Sequence, residues 1–326
     1  MRAVLIINPA SGVSTITSKD MTPEETEQAI LEGLRALKIE PEVYHTTPEN
    51  TGQGLSTRAA QEGADIVIVA GGDGTIHAVA RGLIGTQCVL GIIPLGTMNN
   101  LARSLNIPET IEAACSVIGS GETCAIDAGK INDQIFLEVA GVGLEAALFP
   151  LAEEIKQPGL LSTLHGIIAG LLTLLTYHPV KISISYDEHR RRRYEALQVT
   201  VCNSPFYGVH LQAAPHALMD DGLLDVVVYR KFSKREYILH ALSISLGKRA
   251  YQPKITYRRV KSLRITSEQP VEIQADGELQ GHTPALVTVL PGTLQVKVPG
   301  VKAPGLHNVR NRVEKAGELH TSKRQG

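Results

Sequence analysis

The chain has 326 residues, and since one domain typically takes roughly 100–200 residues, this length predicts two cores. Its 32 Lys and Arg nearly balance its 33 Asp and Glu, which excludes the strong overall field that draws a protein to nucleic acid. The four cysteines stand singly, without CxxC spacing, so they indicate neither a disulfide framework nor a zinc site. We therefore expect a two-domain protein of the reducing cytoplasm that binds no nucleic acid.

The first third of the chain alternates short apolar strands with helices. Strands are predicted at Val4–Ile7, near Val43, at Asp65–Ala70 and at Val89–Ile93, with helices after Thr22 and before Asp65. Thr22 is followed by Pro23 and then by Glu25, the signature of a capping box with proline in the first helical turn. The unbroken apolar runs of the later strands are typical of strands buried on both faces, so this part predicts a parallel sheet.

From about Cys124 onward the pattern changes to alternating strands separated by turn residues, which predicts a largely antiparallel second domain. Its strands are predicted at Lys181–Tyr186, Glu195–Val201, Leu224–Tyr229, Leu263–Thr266, Val271–Ala275, Ala285–Leu290 and Leu294–Val298, with one helix at Lys234–Leu246. We place the first domain at residues 1–123, with 300–318 as a candidate addition to it, the second at 124–299, and a disordered tail at 319–326.

Two further stretches bear on membranes. Gly159–Val180 carries no Asp, Glu, Lys or Arg and is about long enough to cross a bilayer, but polar residues such as His165 and Thr173 interrupt it. We favour a buried helix, with a lipid-contacting helix as the alternative. The run His189–Arg193 lies between two predicted strands, where it could attract anionic headgroups or could simply be a solvated hairpin tip.

The strongest chemical signal is the sequence GGDGT at Gly71–Thr75, directly after the buried strand Asp65–Ala70 and before a predicted helix. Glycines let the backbone turn sharply and present N–H groups to an anion, and the following helix adds its positive end. An ordinary strand-to-helix turn is the alternative. A ligand loop at the end of a parallel strand, suited to a nucleotide phosphate, is favoured. The chain contains neither a GxxxxGK[ST] loop nor GxGxxG in its first strand-helix turn.

Three motifs of the first domain, taken in order and spacing, resemble the diacylglycerol kinase-like lipid kinases of the bacterial YegS type. They are Asn8–Gly12 (NPASG), Gly71–Thr75 (GGDGT) and Pro94–Arg103 (PLGTMNNLAR). The second domain also matches, at Ala217–Asp225 (ALMDDGLLD) and at Asp276–Glu278 (DGE). NAD kinases share GGDGT, but the two later motifs separate lipid kinases from them.

This resemblance implies a two-domain α/β fold of the NAD kinase and diacylglycerol kinase type. A Rossmann-like nucleotide-binding domain is followed by an antiparallel β-rich domain that takes the lipid. The resemblance also implies that ATP is bound by residues from five places in the first domain. These are Asn8, Pro9, Ala10, Ser11 and Gly12; Thr46; Gly71, Gly72, Asp73, Gly74 and Thr75; Ile76, His77 and Ala78; and Thr97.

By the same resemblance, one Mg²⁺ is held by the carboxylate of Asp221 with the carbonyls of Leu218 and Leu223. Asp73 and Asp127 belong to the network around the nucleotide's Mg²⁺. Oxygen ligands of this kind suit that ion. Phosphoryl transfer also needs a group that accepts the proton of the attacking hydroxyl.

Asp276 resembles the family's general base, and Glu278 lies close enough in sequence to share or replace that role. Apart from the family, Asp276–Glu278 would be a plain hairpin turn between Val271–Ala275 and Ala285–Leu290.

This chain departs from the family pattern at one place, within the motif Pro94–Arg103. The family commonly has Asn-Asp there, whereas this chain has Asn99-Asn100. An amide hydrogen-bonds but carries no charge, so Asp73 and Asp127 would have to hold the cation.

The sequence thus predicts a cytoplasmic enzyme that uses ATP and Mg²⁺ to phosphorylate a lipid hydroxyl, at or near a membrane surface with peripheral contact. A soluble-substrate kinase of the NAD kinase type and a nucleotide-binding regulatory protein with weak catalysis stay open.

Overall fold

A computed structural model describes residues 1–11, 21–148, 173, 176–187, 191–207, 212–230, 235–236, 239, 255–300 and 303–307. Most of the predicted helix Lys234–Leu246 and of the uncharged stretch Gly159–Val180 lies outside these residues, as do Gly12 and the predicted tail. Within the described part of the chain, no helix combines the length and hydropathy needed to cross a membrane.

The chain folds into two compact units. The first comprises Met1–Asp127, Leu218–Asp221 and the described part of the chain from Pro291 on, and the second comprises Ala128–Ala217 and Gly222–Leu290. The chain therefore passes between the units several times, because Leu218–Asp221 and the segment from Pro291 both belong to the amino-terminal unit.

The first unit is built on a parallel sheet. Its strands are β1 (Ala3–Ile7), β2 (Glu42–His45), β3 (Ile66–Gly71) and β4 (Val89–Pro94), in the spatial order β2-β1-β3-β4. Every residue of β1 and β3 is buried, as their unbroken apolar runs predict. Beyond β4, the strand β15 (Ala285–Val298) continues the sheet, with Gln295 and Val296 paired parallel to Val89 and Leu90.

The helices of this unit are α1 (Pro23–Ala36), α2 (Gln53–Gln61), α3 (Asp73–Leu83), α4 (Asn100–Ser104) and α5 (Ile111–Ser120). Helices α2, α3 and α5 contact the strands of the sheet, and α1 shares a hydrophobic core with these strands. Helix α1 packs with α5, and α2 packs with α3. The predicted capping box is present, because the Glu25 N–H donates to Thr22 Oγ1 at 3.2 Å and the Thr22 N–H donates to Glu25 Oε2 at 2.7 Å. The sequence signal for the start of α1 is thus confirmed.

The second unit is rich in antiparallel strands, as predicted. Its strands are the end of β5 (Glu122–Ile131), β6 (Gln134–Phe136), β7 (Val139–Gly143), β8 (Val180–Tyr186), β9 (Arg192–Cys202), β10 (Leu224–Arg230), β11 (Ile255–Val260), β12 (Ser262–Ser267), β13 (Glu272–Ala275), β14 (Glu278–His282) and the beginning of β15. The order β14-β13-β7-β9-β8-β12-β15 runs along its sheet, and β10 pairs with β9 and β11. Residues 144–148, directly after β7, are helical.

One sequence prediction is wrong at β15. Ala285–Leu290 and Leu294–Val298 were expected as two strands, but they form one. Pro291 and Gly292 separate these two segments in the sequence. Gly292 adopts a φ of +58°, and at this point the strand changes its pairing from β12 to β4.

Candidate functional site

The loops that follow the parallel strands of the first unit lie at one edge of its sheet. Asn8 follows β1, Thr46 follows β2, and Gly72 follows β3. The strand ends are in register, since Ile7 pairs with both Ala70 and His45. Ligands of open parallel sheets bind at the carboxyl ends of the strands. The residues predicted to contact ATP are thus gathered at the expected edge.

Asn8 organises the first of these loops. Its Nδ2 donates to Thr75 Oγ1 at 2.9 Å, and its Oδ1 accepts a hydrogen bond from the Ala10 N–H at 3.0 Å. The Ser11 N–H donates to the Asn8 carbonyl at 3.0 Å. Pro9 is exposed beside them. The NPAS turn is therefore tied directly to the GGDGT loop.

Two glycines are required by close packing of the loops. A Cβ on Gly71 would lie 2.8 Å from the Thr75 Cβ, and one on Gly96 would lie 2.7 Å from the Gly72 Cα. Both distances are shorter than non-bonded carbon atoms tolerate. The loops after β3 and β4 therefore touch through their backbones.

Helix α3 begins in this loop without a side-chain cap. Its N-cap is Gly72, which has no side chain to bond to the first amides of the helix. Gly74 is exposed, and nothing lies within 4 Å of the position of its Cβ. Uncapped amides at a helix amino terminus form a favourable site for a phosphate. Ile76, His77 and Ala78, further along the helix, are buried.

Asp73 connects the two loops. Its Oδ1 accepts the Asn100 N–H at 2.7 Å, and its Oδ2 accepts the Asn99 N–H at 2.9 Å. Asn99 has a φ of +50°, and its side chain bonds to both the N–H and the carbonyl of Gly96. A carboxylate oxygen has two lone pairs, so these bonds leave Asp73 able to bind a cation or its water shell. Thr97 lies exposed between Gly96 and Asn99.

Asn100 occupies the position where the family commonly has aspartate. The residue is 4% exposed, and within the described part of the chain its Oδ1 has no hydrogen-bond partner. Buried carbonyl oxygens almost always have a partner. An unsatisfied oxygen next to Asp73 fits a ligand such as Mg²⁺ or a water molecule bound to it.

Asp127 lies against the turn that carries two predicted metal ligands, Leu218 and Asp221. Its N–H donates to the Met219 carbonyl at 2.5 Å, and its Oδ1 accepts the Gly292 N–H at 2.7 Å. The Met219 N–H in turn donates to the Gly305 carbonyl at 2.6 Å. Carboxylates and carbonyls of this kind suit Mg²⁺. The other predicted ligand, Leu223, belongs to the second unit.

In the second unit, Asp276 and Gly277 form a two-residue hairpin loop. Their φ values are +46° and +88°, and Ala275 pairs with Glu278 across the loop. An Asp-Gly loop with both φ values positive matches the twist of the strands it joins. The sequence identified the hairpin but paired it with Ala285–Leu290. The actual partner is β14, which begins immediately after the loop and was missed.

The Asp276 carboxylate is held by three backbone amides. Its Oδ2 accepts the Leu137 N–H at 2.8 Å, and its Oδ1 accepts the N–H groups of Glu138 at 2.9 Å and Val139 at 3.1 Å. These bonds fix its orientation against the start of β7. Glu278, the other predicted catalytic carboxylate, is exposed two residues further on.

A buried carboxylate that the sequence analysis missed is Glu145, in the helical residues 144–148. Its Oε2 accepts the Thr200 hydroxyl at 2.8 Å. Burial raises the pKa of Glu145 from 4.5 to about 7, although the hydrogen bond from Thr200 opposes this shift. The available signal was a single acidic residue within the apolar run Val139–Leu148.

Comparisons with known proteins agree with this arrangement. Residues 2–131 match the model of the diacylglycerol kinase catalytic domain, and residues 138–298 match that of the YegS C-terminal NAD kinase beta sandwich-like domain. A "Diacylglycerol kinase" of Bacillus subtilis is 30% identical over 312 residues, covering 93% of this chain and 98% of the relative. One of Staphylococcus carnosus is 29% identical over 302 residues, covering 91% and 95%.

Similarity to a solved structure supports the fold. A crystal structure of a diacylglycerol kinase from Bacillus anthracis superposes with a TM-score of 0.69 at 24% identity, covering 91% of this chain and 96% of that one. The two domain models, the full-length relatives and the fold lead to one conclusion: the chain belongs to the diacylglycerol kinase family with a YegS-type carboxyl-terminal domain.

Proposed function

We propose that this protein is an ATP-dependent lipid kinase, which transfers the γ-phosphate of ATP to a lipid hydroxyl with Mg²⁺. The observation that carries the proposal is the loop array of the first unit, where Asp73 bonds two loop amides beside the uncapped start of α3. Such a site combines N–H donors for phosphate with a carboxylate for the cation.

The first unit binds the nucleotide in this proposal. Backbone amides at the start of α3, from Gly74 and Thr75, face the phosphates together with the positive end of the helix. Asn8 orients Thr75 through its hydrogen bond, and the close backbones of Gly72 and Gly96 keep the two loops in place. This pre-formed loop geometry reduces the entropy that ATP binding must offset.

Asp73 would hold Mg²⁺, with Asn100 Oδ1 and Asp127 as further oxygen groups of the same unit. When bound, the ion neutralises charge that develops between the β- and γ-phosphates. The family's second Mg²⁺ is assigned to the Asp221 carboxylate with the carbonyls of Leu218 and Leu223. Its role is to stabilise the turn, which already bonds to Asp127 through Met219.

The second unit activates the acceptor. Asp276, oriented by the three amides of Leu137–Val139, accepts the proton of the lipid hydroxyl as its oxygen attacks the γ-phosphorus. Glu278 shares this role. The oxygen attacks in line with the departing ADP, so no covalent enzyme intermediate is required.

A lipid acceptor is supported by the names of the full-length relatives, which are diacylglycerol kinases. Such an acceptor lies in a membrane, so we infer peripheral contact at the membrane surface. The four single cysteines favour the cytoplasm as the location of the protein.

The test is transfer of labelled γ-phosphate from ATP and Mg²⁺ into a mixed lipid extract, with separate counting of the organic and aqueous phases. The native chain should label a lipid, Asp276→Ala should not, and Asp133→Ala should behave like the native chain because that side chain is 99% exposed. Label in a water-soluble product would indicate a soluble-substrate kinase. Nucleotide binding without any transfer would indicate a regulatory protein.

A further inference from the structure

One face of the second unit's sheet carries polar residues in register. Gln274 on β13 pairs with Gly141 on β7, which pairs with Thr200 on β9. The residues next to them in sequence, such as Ile273 and Val142, point to the opposite face and belong to a hydrophobic core of this unit. The polar row is therefore separate from that core.

Two side chains fill the space above Gly141 in this row, which only glycine leaves free for them. A Cβ on Gly141 would lie 2.9 Å from Gln274 Nε2 and 3.1 Å from Glu145 Oε2. Both side chains thus converge over Gly141. Any larger residue there would push one of them away.

In each of these two side chains, only one of the two polar atoms has a hydrogen-bond partner within the described residues. Glu145 Oε2 accepts the Thr200 hydroxyl, but within the described residues its Oε1 has no hydrogen-bond partner. Gln274 Oε1 accepts the Gly277 N–H at 2.9 Å, while its Nε2 has no partner in the same part of the chain. Glu145 is 7% exposed and Gln274 is fully buried.

An unpaired buried acceptor and an unpaired buried donor, side by side, indicate a ligand that supplies the missing partners. The ligand must bring one hydrogen-bond donor and one acceptor. The ligand is uncharged, because the site is buried and bringing a charged group into it would cost too much free energy. A lipid alcohol with a carbonyl next to its hydroxyl has this chemistry.

We propose that Glu145 and Gln274 form the subsite for the polar head of the acceptor lipid, an inference that rests on the proposed function. In the bound acceptor, the hydroxyl donates its one proton to Glu145 Oε1 as a hydrogen bond, and Gln274 Nε2 donates a hydrogen bond to an ester or amide carbonyl. When phosphate is transferred, the same hydroxyl turns to Asp276, which accepts the proton. Gln274 also holds the Gly277 N–H, next to Asp276 in the hairpin loop. A carbonyl bound at Gln274 therefore places the acceptor beside the loop that carries the general base.

The test compares two acceptors that differ only in the carbonyl: dioctanoylglycerol and its diether analogue, 1,2-di-O-octylglycerol. One neutral hydrogen bond is worth about fivefold to tenfold in affinity, so the native enzyme should show a KM that much lower for the diester. Gln274→Leu should raise the KM for the diester and remove the preference. The KM for ATP should not change.

Glu145 is tested with two substitutions. Glu145→Leu should raise the KM for both acceptors about tenfold, and Glu145→Gln should restore most of the loss because an amide still offers an oxygen. Glu268→Gln is the matched control, since this carboxylate of the same unit is 74% exposed. Thermal unfolding and ATP binding of every variant establish that it is folded.

An unchanged diester-to-diether ratio in Gln274→Leu, or no preference in the native enzyme, would assign the row a purely structural role and overturn the proposal. N-octanoylsphingosine as a third acceptor tells an amide carbonyl from an ester. If the native chain phosphorylates none of these lipids, binding of labelled dioctanoylglycerol without ATP separates the two ideas. Binding that Gln274→Leu abolishes supports the subsite although the kinase assignment fails, and absence of binding overturns both.

Discussion

Two carboxylates in different regions of the molecule differ in their burial and in their hydrogen bonds. Asp73 in the first unit bonds a backbone N–H with each oxygen and joins two loops. Glu145 in the second unit is buried, has one hydroxyl partner, and has a pKa raised to about 7. Two amides hold the first carboxylate in a fixed orientation. The second is buried and, within the described residues, has one oxygen without a hydrogen-bond partner.

In the proposed function, the two carboxylates serve different tasks. Phosphate and Mg²⁺ require charges that are already in place, because reorganising them during the reaction costs free energy. A lipid head requires hydrogen bonds in an apolar setting, where a permanent charge would cost far more to bury. The predictions below separate the two regions, beginning with the largest effect.

Asp73→Asn should lower kcat roughly 100-fold or more, because the variant loses the charge that faces the cation and places an amide against two N–H donors. Phosphate transfer at saturating ATP measures the effect. Asp133→Asn, an exposed carboxylate, should leave kcat unchanged. A fully active Asp73→Asn enzyme would contradict the role given to this residue.

Gly96→Ala should reduce the free energy of unfolding by about 2 kcal/mol, since its Cβ would meet the Gly72 Cα at 2.7 Å. Gly74→Ala is the control on the same loop pair. Nothing lies within 4 Å of its Cβ, so it should cost no stability. Urea unfolding measures both. Equal stability of the two variants would show that the loop contact is not tight.

The pH dependence of stability should report on Glu145. Because its folded pKa is raised above the unfolded value of 4.5, the folded protein holds a proton that the unfolded chain releases, and stability falls as pH rises toward and through 7. Relative to the native chain, Glu145→Gln should gain about 2 kcal/mol between pH 5 and pH 8. Burial also raises the pKa of Asp225 to about 7, but Asp225 contributes equally to the native chain and to Glu145→Gln.

Urea unfolding at the two pH values provides the measurement. If the difference between Glu145→Gln and the native chain is the same at pH 5 and pH 8, then Glu145 does not titrate in this range and the raised pKa is wrong.

The smallest expected effect concerns Asn100, which stands where the family commonly has a charged aspartate. Asn100→Asp should lower the half-saturating Mg²⁺ concentration roughly fivefold, because a carboxylate attracts the cation more strongly than an amide oxygen. The shift of the melting temperature with Mg²⁺, without ATP, measures binding independently of activity. Asn106→Asp, an exposed neighbour, should change nothing. An unchanged Mg²⁺ response in Asn100→Asp would place the cation elsewhere.

Much of the first unit could be predicted from sequence because its signals are local. The capping box at Thr22 and the apolar runs that became β3 and β4 each lie within a few residues. The loops then meet because parallel strands end at one edge, which is a property of the sheet. The fold class and the family follow from these elements and the motifs that stand on them.

The second unit was harder to predict from the sequence, because its site depends on strands that pair although they are distant in sequence. The convergence of Glu145 and Gln274 requires β7 and β13 to be neighbours, and they are more than a hundred residues apart in sequence. The strand β14 was missed because Glu278–His282 has weak strand propensity and ends in Gly-His. The continuity of β15 through Pro291-Gly292 similarly depends on its exchange of partners.

The central claim is that the first unit binds ATP while Asp276 of the second activates the acceptor. Its most direct test is ATP affinity and kcat for dioctanoylglycerol, measured side by side in the native chain and in Asp276→Asn. The account predicts equal ATP affinity and a kcat lower by roughly 100-fold or more. A native chain that transfers no phosphate to any lipid, or an Asp276→Asn variant with native kcat, would contradict it.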